Sequence, residues 1–301
     1  MTSEVKLFHV DGRAGTGARA LSGANLPAMD TSADARFAGS IPQLYDRFMV
    51  PLIFEPYAED LSRRTAQCRP ASVLELAAGT GAVTRHLARD LPAGTKIVAT
   101  DLNQPMLDRA ATIGTSRPVR WQQADAMNLP FPDNGFDAVA CQFGAMFFPD
   151  RSVAFAEFRR VLRPGGLLVF NVWDVIDTND FARIVTDALG EVFPDDPPLF
   201  MARVPHGYHD EAVIRADLAG GGFSLAATIE AVDARSRAAT AATAAIAYCK
   251  GTPLRNEIVA RDPHRLDDAV ANATAAIERD HGSTDVDGRI RAHVVTVTSP
   301  A

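Results

Sequence analysis

The chain has 301 residues, 47% of them apolar and 22% charged, with a formal net charge of −7. That length suits one large α/β domain with an insertion, or two small domains, and the negative balance argues against a nucleic-acid surface. No apolar run approaches the length of a membrane span and the first residues lack a signal-peptide core, so a cytoplasmic protein without a membrane partner is expected.

In chain order, residues 1 to 38 are rich in Gly, Ala, Ser and Asp and show no clear period, which predicts a mobile N-terminal arm. The Gly15-Thr16-Gly17 triplet in it has no strong strand before it and reads as a flexible turn. A single domain is expected over 39–301. From Ile41 to Arg64 the apolar residues Leu44, Phe48, Leu52 and Leu61 have helical spacing, and Pro42, Pro51 and Pro56 are expected to break that helix into pieces.

From Ser72 strands and helices alternate. Val73-Leu74-Glu75-Leu76-Ala77 is a short apolar strand that turns through Gly79-Thr80-Gly81 into a helix over Ala82–Asp90. A second strand, Lys96 to Thr100, ends in Asp101 and leads to a helix over Gln104–Ile113. A third, Val119 to Ala124, ends in Asp125, and the turn Asp133-Asn134-Gly135 opens a fourth over Phe136–Cys141. A helix over Arg151–Leu162 is stopped by Arg163-Pro164-Gly165-Gly166. The apolar run Leu167–Trp173 then reads as a buried central strand. This alternation predicts an open, doubly wound α/β sheet.

The second half is less regular. Helices are expected at Phe181–Val192 and His209–Gly220, around a proline-rich loop with Leu199, Phe200 and Met201 exposed. A strand is expected over Ser224–Ala234. Two Ala-rich helices follow, near Thr240–Ala260 and Arg265–Asp280, and then a last strand over Arg289–Thr298 whose alternation slips at Val295. Helical elements at about 176–222 and 240–282 fit a cap over the carboxyl edge, where open α/β sheets bind ligands; the Ala-rich pair equally fits a homodimer interface. Cys68, Cys141 and Cys249 form no C-x-x-C pair, which predicts reduced thiols. His206 and His209 gain no further ligand at metal spacing, so no metal is expected.

The chemistry points to the strand ends. Glu75, Asp101 and Asp125 place three carboxylates along one carboxyl edge, and an acid about 20 residues past the glycines suits a ribose diol. A dinucleotide would want a third glycine at the helix start for its pyrophosphate. That position is Thr84, and the turn itself holds no basic residue. An acid-lined edge better suits a cationic cofactor without phosphate.

Four segments, V-L-E-L-A-A-G-T-G, I-V-A-T-D-L-N-Q-P-M-L, Q-A-D-A-M-N-L-P-F-P-D-N-G-F-D-A-V and R-V-L-R-P-G-G-L-L-V-F, resemble the class I S-adenosylmethionine-dependent methyltransferases in order and spacing. The similarity runs over roughly residues 40 to 173 and is to the group that includes the ubiquinone and menaquinone C-methyltransferases. It implies a Rossmann-like seven-stranded sheet of order 3-2-1-4-5-7-6 with strand 7 antiparallel, and S-adenosyl-L-methionine as cofactor. By the same resemblance, Glu75, Ala77, Gly79, Thr80 and Gly81 lie under the amino-acid moiety of the cofactor. Asp101 accepts from the ribose, Leu102 and Met106 flank the adenine, and Asp125 and Ala126 bind its edge. Gln142 and Phe143 sit where the methyl group is presented, and Tyr45 touches the methionine end.

Ala77 stands where the family often has its first glycine. Gln142-Phe143 is not the Asn/Asp-Pro-Pro-Tyr signature, which speaks against methylation of DNA bases or protein amides. Candidates for a general base are Tyr45, His206, Tyr208 and His209, although His206 to His209 reads as a surface turn. The expected reaction is in-line methyl transfer to O or C of a small, partly apolar acceptor. A nicotinamide-dependent oxidoreductase and a non-catalytic cofactor-binding module stay open as alternatives at this point.

Overall fold

The computed structural model describes residues 34–223 and 226–300, all within the unit Thr31–Ala301. The Gly15-Thr16-Gly17 turn and most of the expected arm lie outside the described residues.

Seven strands form one sheet in the order β3-β2-β1-β4-β5-β7-β6. They are β1 (Ser72–Leu76), β2 (Lys96–Asp101), β3 (Arg120–Gln123), β4 (Phe136–Gln142), β5 (Leu162–Trp173), β6 (Thr228–Thr240) and β7 (Thr284–Thr298). β1 lies parallel between β2 and β4, with Leu74 opposite both Val98 and Val139. β7 runs antiparallel to β5 and β6. Its phase slip now has a reason: β7 is flanked by strands on both sides and covered on both faces, so Val294 and Val295 are both buried. β6 starts later than expected and extends six residues further, to Thr240.

The order reverses at β1, where the crossovers to β2 and β4 leave in opposite directions. That is the switch point at which open α/β sheets form their crevice. The carboxyl ends there are followed by α3 (Ala82–Asp90) and α4 (Gln104–Ile113) on one side. Beyond β4 comes α5 (Arg151–Val161), capped by the Asp150 carboxylate, which accepts the Val153 amide.

The prolines of the N-terminal helical segment do not break it. Helix α1 (Ile41–Leu44), a π-helical stretch over Tyr45–Phe54 and α2 (Glu55–Gln67) run on without a gap. Pro42 and Pro56 lie in first turns, where an amide is not needed. Pro51 sits inside the π-helical stretch, where its missing amide leaves one hydrogen bond unmade without ending the helix.

The later half holds α6 (Asp180–Val192), α7 (Phe200–Arg203), α8 (Glu211–Gly220), α9 (Ala241–Gly251), α10 (Leu254–Arg261) and α11 (Leu266–His281). The expected exposed trio separates: Leu199 is exposed, while Phe200 and Met201 turn inward on α7. The single helix expected over Thr240–Ala260 is two, divided at Thr252-Pro253. Gly251, the last residue of α9, packs against Met49, Leu44 and Tyr45 of the N-terminal helical segment. The alanines Ala241, Ala244, Ala245 and Ala247 are packed in this chain's own core.

Candidate active site

After β1 the backbone takes the left-handed conformation three times in five residues: Ala77 at φ 50°, Gly79 at 56° and Gly81 at 85°. Glycine does this without cost, and alanine does not. The turn is tied to β2 by the Ala78 amide, which donates to the Thr100 carbonyl at 2.9 Å. A Cβ at Gly79 would point at Tyr45 and Met106, so the backbone itself faces the crevice there.

Glu75 lies beneath this turn rather than in the crevice. It is buried, and its Oε2 accepts from the Thr84 hydroxyl at 2.6 Å. Burial pushes its carboxyl up to about 8, against the pull of the Thr84 hydrogen bond. Thr84, which occupies the third-glycine position, therefore anchors the acid that supports the turn. Thr80 and Gly81 also lie behind the crevice wall. The Thr80 carbonyl accepts from Arg85 at 2.8 Å, so a basic side chain from α3 does reach the turn, on its far side.

Asp101 ends β2 and is 8% exposed. Its Oδ2 accepts the Gly79 amide and its Oδ1 accepts the Asn103 amide, both at 2.8 Å. Burial raises its pKa, and the amides of Asn103 and Gly79 oppose that rise. A carboxylate oriented by two amides keeps lone pairs for two hydroxyls. Leu102 is half-exposed and Met106 is buried, and both line the same cavity. Asp125 follows β3; its Oδ1 accepts the Met127 amide at 2.9 Å, so it shapes its turn as well as facing the cavity.

The β4 end supplies the other wall. Phe143 has φ 50°, and its amide donates to Asn171 Oδ1 at 2.9 Å. Its ring stacks on Trp173 with centroids 3.8 Å apart. Gln142 lines the cavity, and its buried Oε1 has no hydrogen-bond partner. Tyr45 stacks on Phe54 at 5.0 Å and also lines the cavity. Burial, reinforced by Asp101 and Asp46, pushes the Tyr45 phenol well above its ordinary range, so it stays a proton donor.

The structure thus brings Tyr45, Ala77, Gly79, Asp101, Leu102, Met106, Asp125, Ala126, Gln142 and Phe143 around one cavity of about 410 Å³. The histidines are elsewhere. The expected surface turn at His206–His209 is half wrong, because His206 and Tyr208 are buried. His206 packs beside Trp173, its Nδ1 donates to the Asp174 carbonyl at 2.8 Å, and burial pushes its pKa down to about 4. His209 Nδ1 donates to the His206 carbonyl at 2.9 Å, outside the cavity wall. Among the described residues, no group of three or more His, Cys, Asp or Glu side chains could hold a metal ion.

Sequence reasoning missed Arg36, Phe37, Asn103 and Phe147, all in the cavity wall. Phe37 meets Tyr45 and Phe147 edge-on at 5.8 and 5.9 Å. The available signals were a lone aromatic in a stretch of small and charged residues, and the Phe147-Phe148 pair in the turn that follows β4.

Residues 74–170 match the family model of a methyltransferase domain. Over 101 residues the chain is 40% identical to a ubiquinone/menaquinone biosynthesis C-methyltransferase of Saccharophagus degradans, covering 32% of this chain and 41% of that protein. Over 102 residues it is 44% identical to a demethylmenaquinone methyltransferase of Thermus thermophilus, covering 33% of this chain and 46% of that protein. The chain spans less than half the length of these two curated relatives. The YcgJ protein of Bacillus subtilis superposes with a TM-score of 0.53 at 16% identity, over 82% of this chain and 99% of its own. A protein of Bacillus halodurans gives 0.52 at 20% identity, over 81% and 99%.

Sheet order and crevice define the class: this is the fold of the class I S-adenosylmethionine-dependent methyltransferases. Within that class the chain resembles the ubiquinone/menaquinone C-methyltransferase group. The cavity residues fit S-adenosylmethionine. Asp101 is placed for a diol, the backbone is open at Gly79, and the buried Gln142 Oε1 is an acceptor without a partner on a residue of the cavity wall.

Proposed function

We propose that the chain transfers the methyl group of S-adenosylmethionine to a carbon or oxygen atom of a small, partly apolar acceptor. The observation that carries this reading is the buried Asp101 carboxylate, oriented by the Gly79 and Asn103 amides at the switch point of the sheet. The names of the curated relatives point to a quinone-type ring as acceptor and to carbon as the atom methylated. The aromatic walls Tyr45, Phe143, Phe37 and Phe147 suit a planar apolar ring.

The bound cofactor supplies an already activated methyl group, so the protein's task is position and exclusion of water. Asp101, oriented by the Gly79 amide, fixes the ribose end. Leu102, Met106 and Ala126 form the adenine slot. Gln142, Phe143 and Tyr45 surround the place of transfer. Bound there, the cofactor would supply its methyl group to the acceptor atom with S-adenosylhomocysteine as the leaving group, and the acceptor's proton would pass to solvent or to a cavity carboxylate. Asp101, Asp125 and Tyr45 are the cavity's proton-exchanging side chains apart from Arg36, and Tyr45 is held protonated. The site therefore favours acceptors that are acidic phenols or activated carbons, which need no strong base.

The test is incubation with methyl-labelled S-adenosylmethionine and a panel of demethylated quinols, phenols and aliphatic amines. The label should appear on the quinols or phenols together with S-adenosylhomocysteine. Cofactor binding with no labelled product from any acceptor would instead favour a non-catalytic binding module.

A further inference from the structure

Asn103 stands at the N-cap of α4 with an extended backbone, φ −95° and ψ 103°. An asparagine there ordinarily accepts an amide of the first helical turn. This one makes no such bond. Its carboxamide reaches chiefly to residues 35–37: Oδ1 accepts the Phe37 amide at 3.1 Å, and Nδ2 donates to the Ala35 carbonyl at 3.0 Å, with a longer contact to Asp101 Oδ1 at 3.4 Å. One side chain thereby imitates the paired donor and acceptor of a neighbouring strand. The same residue's own amide holds Asp101.

The segment it grips is anchored at its other end as well. Asp34 is buried and takes two bonds from Arg203, at 2.6 and 2.8 Å. Arg203, on α7, also pairs with Glu257 of α10 at 2.7 Å. Between the two anchors Ala35, Arg36 and Phe37 form part of the cavity wall. The two ends differ in kind. The Asp34–Arg203 end is a two-pronged, charge-assisted pair, and the Asn103 end is two neutral hydrogen bonds, which are individually weaker. The polar anchor at Asn103 is therefore the weaker of the two.

We propose that Asn103 is a positioning residue that latches residues 34–38 across the cavity, and that release of this latch sets how fast the spent cofactor leaves. Asn103 serves both the diol-binding acid and the strap, so cofactor at Asp101 and closure of the strap favour one another. The cofactor half of this inference rests on the methyltransferase reading. The latch itself does not.

The informative variant is Asn103→Ser. Serine caps a helix as well as asparagine but is too short to span to the strap. In the full-length protein without cofactor, trypsin cleavage after Arg36 is followed by mass spectrometry, alongside the melting temperature. Cleavage should be about tenfold faster in Asn103→Ser, as expected for losing two neutral hydrogen bonds, with melting unchanged. S-adenosylhomocysteine should slow cleavage in the wild type, and its dissociation from the variant should be about tenfold faster in a displacement experiment. Equal cleavage and equal dissociation in the two proteins would overturn the latch. Should Asn103→Ser lower the melting temperature, Asn103→Thr, which also caps a helix but lacks the carboxamide, takes its place, and unchanged cleavage after Arg36 in that variant would overturn the latch too. If S-adenosylhomocysteine does not bind at all, the cofactor reading fails, while the cleavage comparison still decides the latch.

Discussion

Phe143 lies face to face with Trp173, ring centroids 3.8 Å apart and planes within 5°. The stack does more than fill space, because Phe143 is a non-glycine residue at φ 50° on the cavity wall. Trp173 from β5, together with the Asn171 carboxamide, holds it in that conformation. Truncation to Trp173→Ala should cost about 3–5 kcal/mol of stability by denaturant unfolding, as for other buried aromatics. Trp173→Phe should recover most of it. At temperatures where both fold, methyl transfer should fall further than cofactor affinity in the alanine variant. Equal losses in both would show that the stack supports only the fold.

Ala77 offers the opposite test, a substitution expected to stabilise. It holds φ 50° where glycine would rest without strain. Ala77→Gly should raise stability by roughly 1 kcal/mol through relief of a left-handed alanine, less the small packing loss of its Cβ. Thermal unfolding measures it, and a clear loss of stability would show that the Cβ contact outweighs the strain.

Glu75 predicts a pH dependence. Its folded carboxyl is raised to about 8 by burial. A raised carboxyl contributes stability that is full below the unfolded value near 4.5 and is lost as pH rises through about 8. The wild type should therefore lose stability against Glu75→Gln between about pH 5 and 8, by a few kcal/mol at most. Parallel melting curves for the two proteins across that window would contradict the assignment. Glutamine still accepts from Thr84, so the turn itself should survive.

Most of the frame was legible because it is written locally. Short strand runs of five or six residues, with Glu75 inside the first and Asp101 and Asp125 closing the next two, marked the first strands and put Asp101 and Asp125 on the crevice edge. What escaped depended on contacts far apart in sequence. His206 is buried because Trp173, 33 positions earlier, packs over it. Phe37 belongs to the cavity because Asn103, 66 positions away, grips its backbone. The prolines misled because their cost depends on where in a turn they fall, and Pro42 and Pro56 fall where an amide is not needed. The roles of Glu75 and Thr84 could not be separated by spacing alone, since one carboxylate can hold a turn or meet a ligand from the same position.

Gly144 depends on space rather than on φ. A Cβ there would lie 2.5 Å from the Ala77 Cβ and 2.7 Å from the Cys141 Sγ, wedging the β1 turn from the β4 turn. Gly144→Ala should destabilise by about 1–3 kcal/mol, as overpacking does elsewhere. Because Gly144 lines the cavity, cofactor affinity should fall with it. Pairing it with Ala77→Gly, which removes the first of the two clashing atoms, should restore part of the loss. A strictly additive double variant would refute the contact.

The central claim is that this cavity holds S-adenosylmethionine through Asp101. Isothermal titration of the wild type and Asp101→Ala with S-adenosylmethionine and S-adenosylhomocysteine tests it most directly. The wild type should bind both in the micromolar range. The variant should bind them roughly 30- to 100-fold more weakly, the size of losing hydrogen bonds to a charged acceptor. Failure of the folded wild type to bind either compound, or equal affinity in the variant, would contradict the claim.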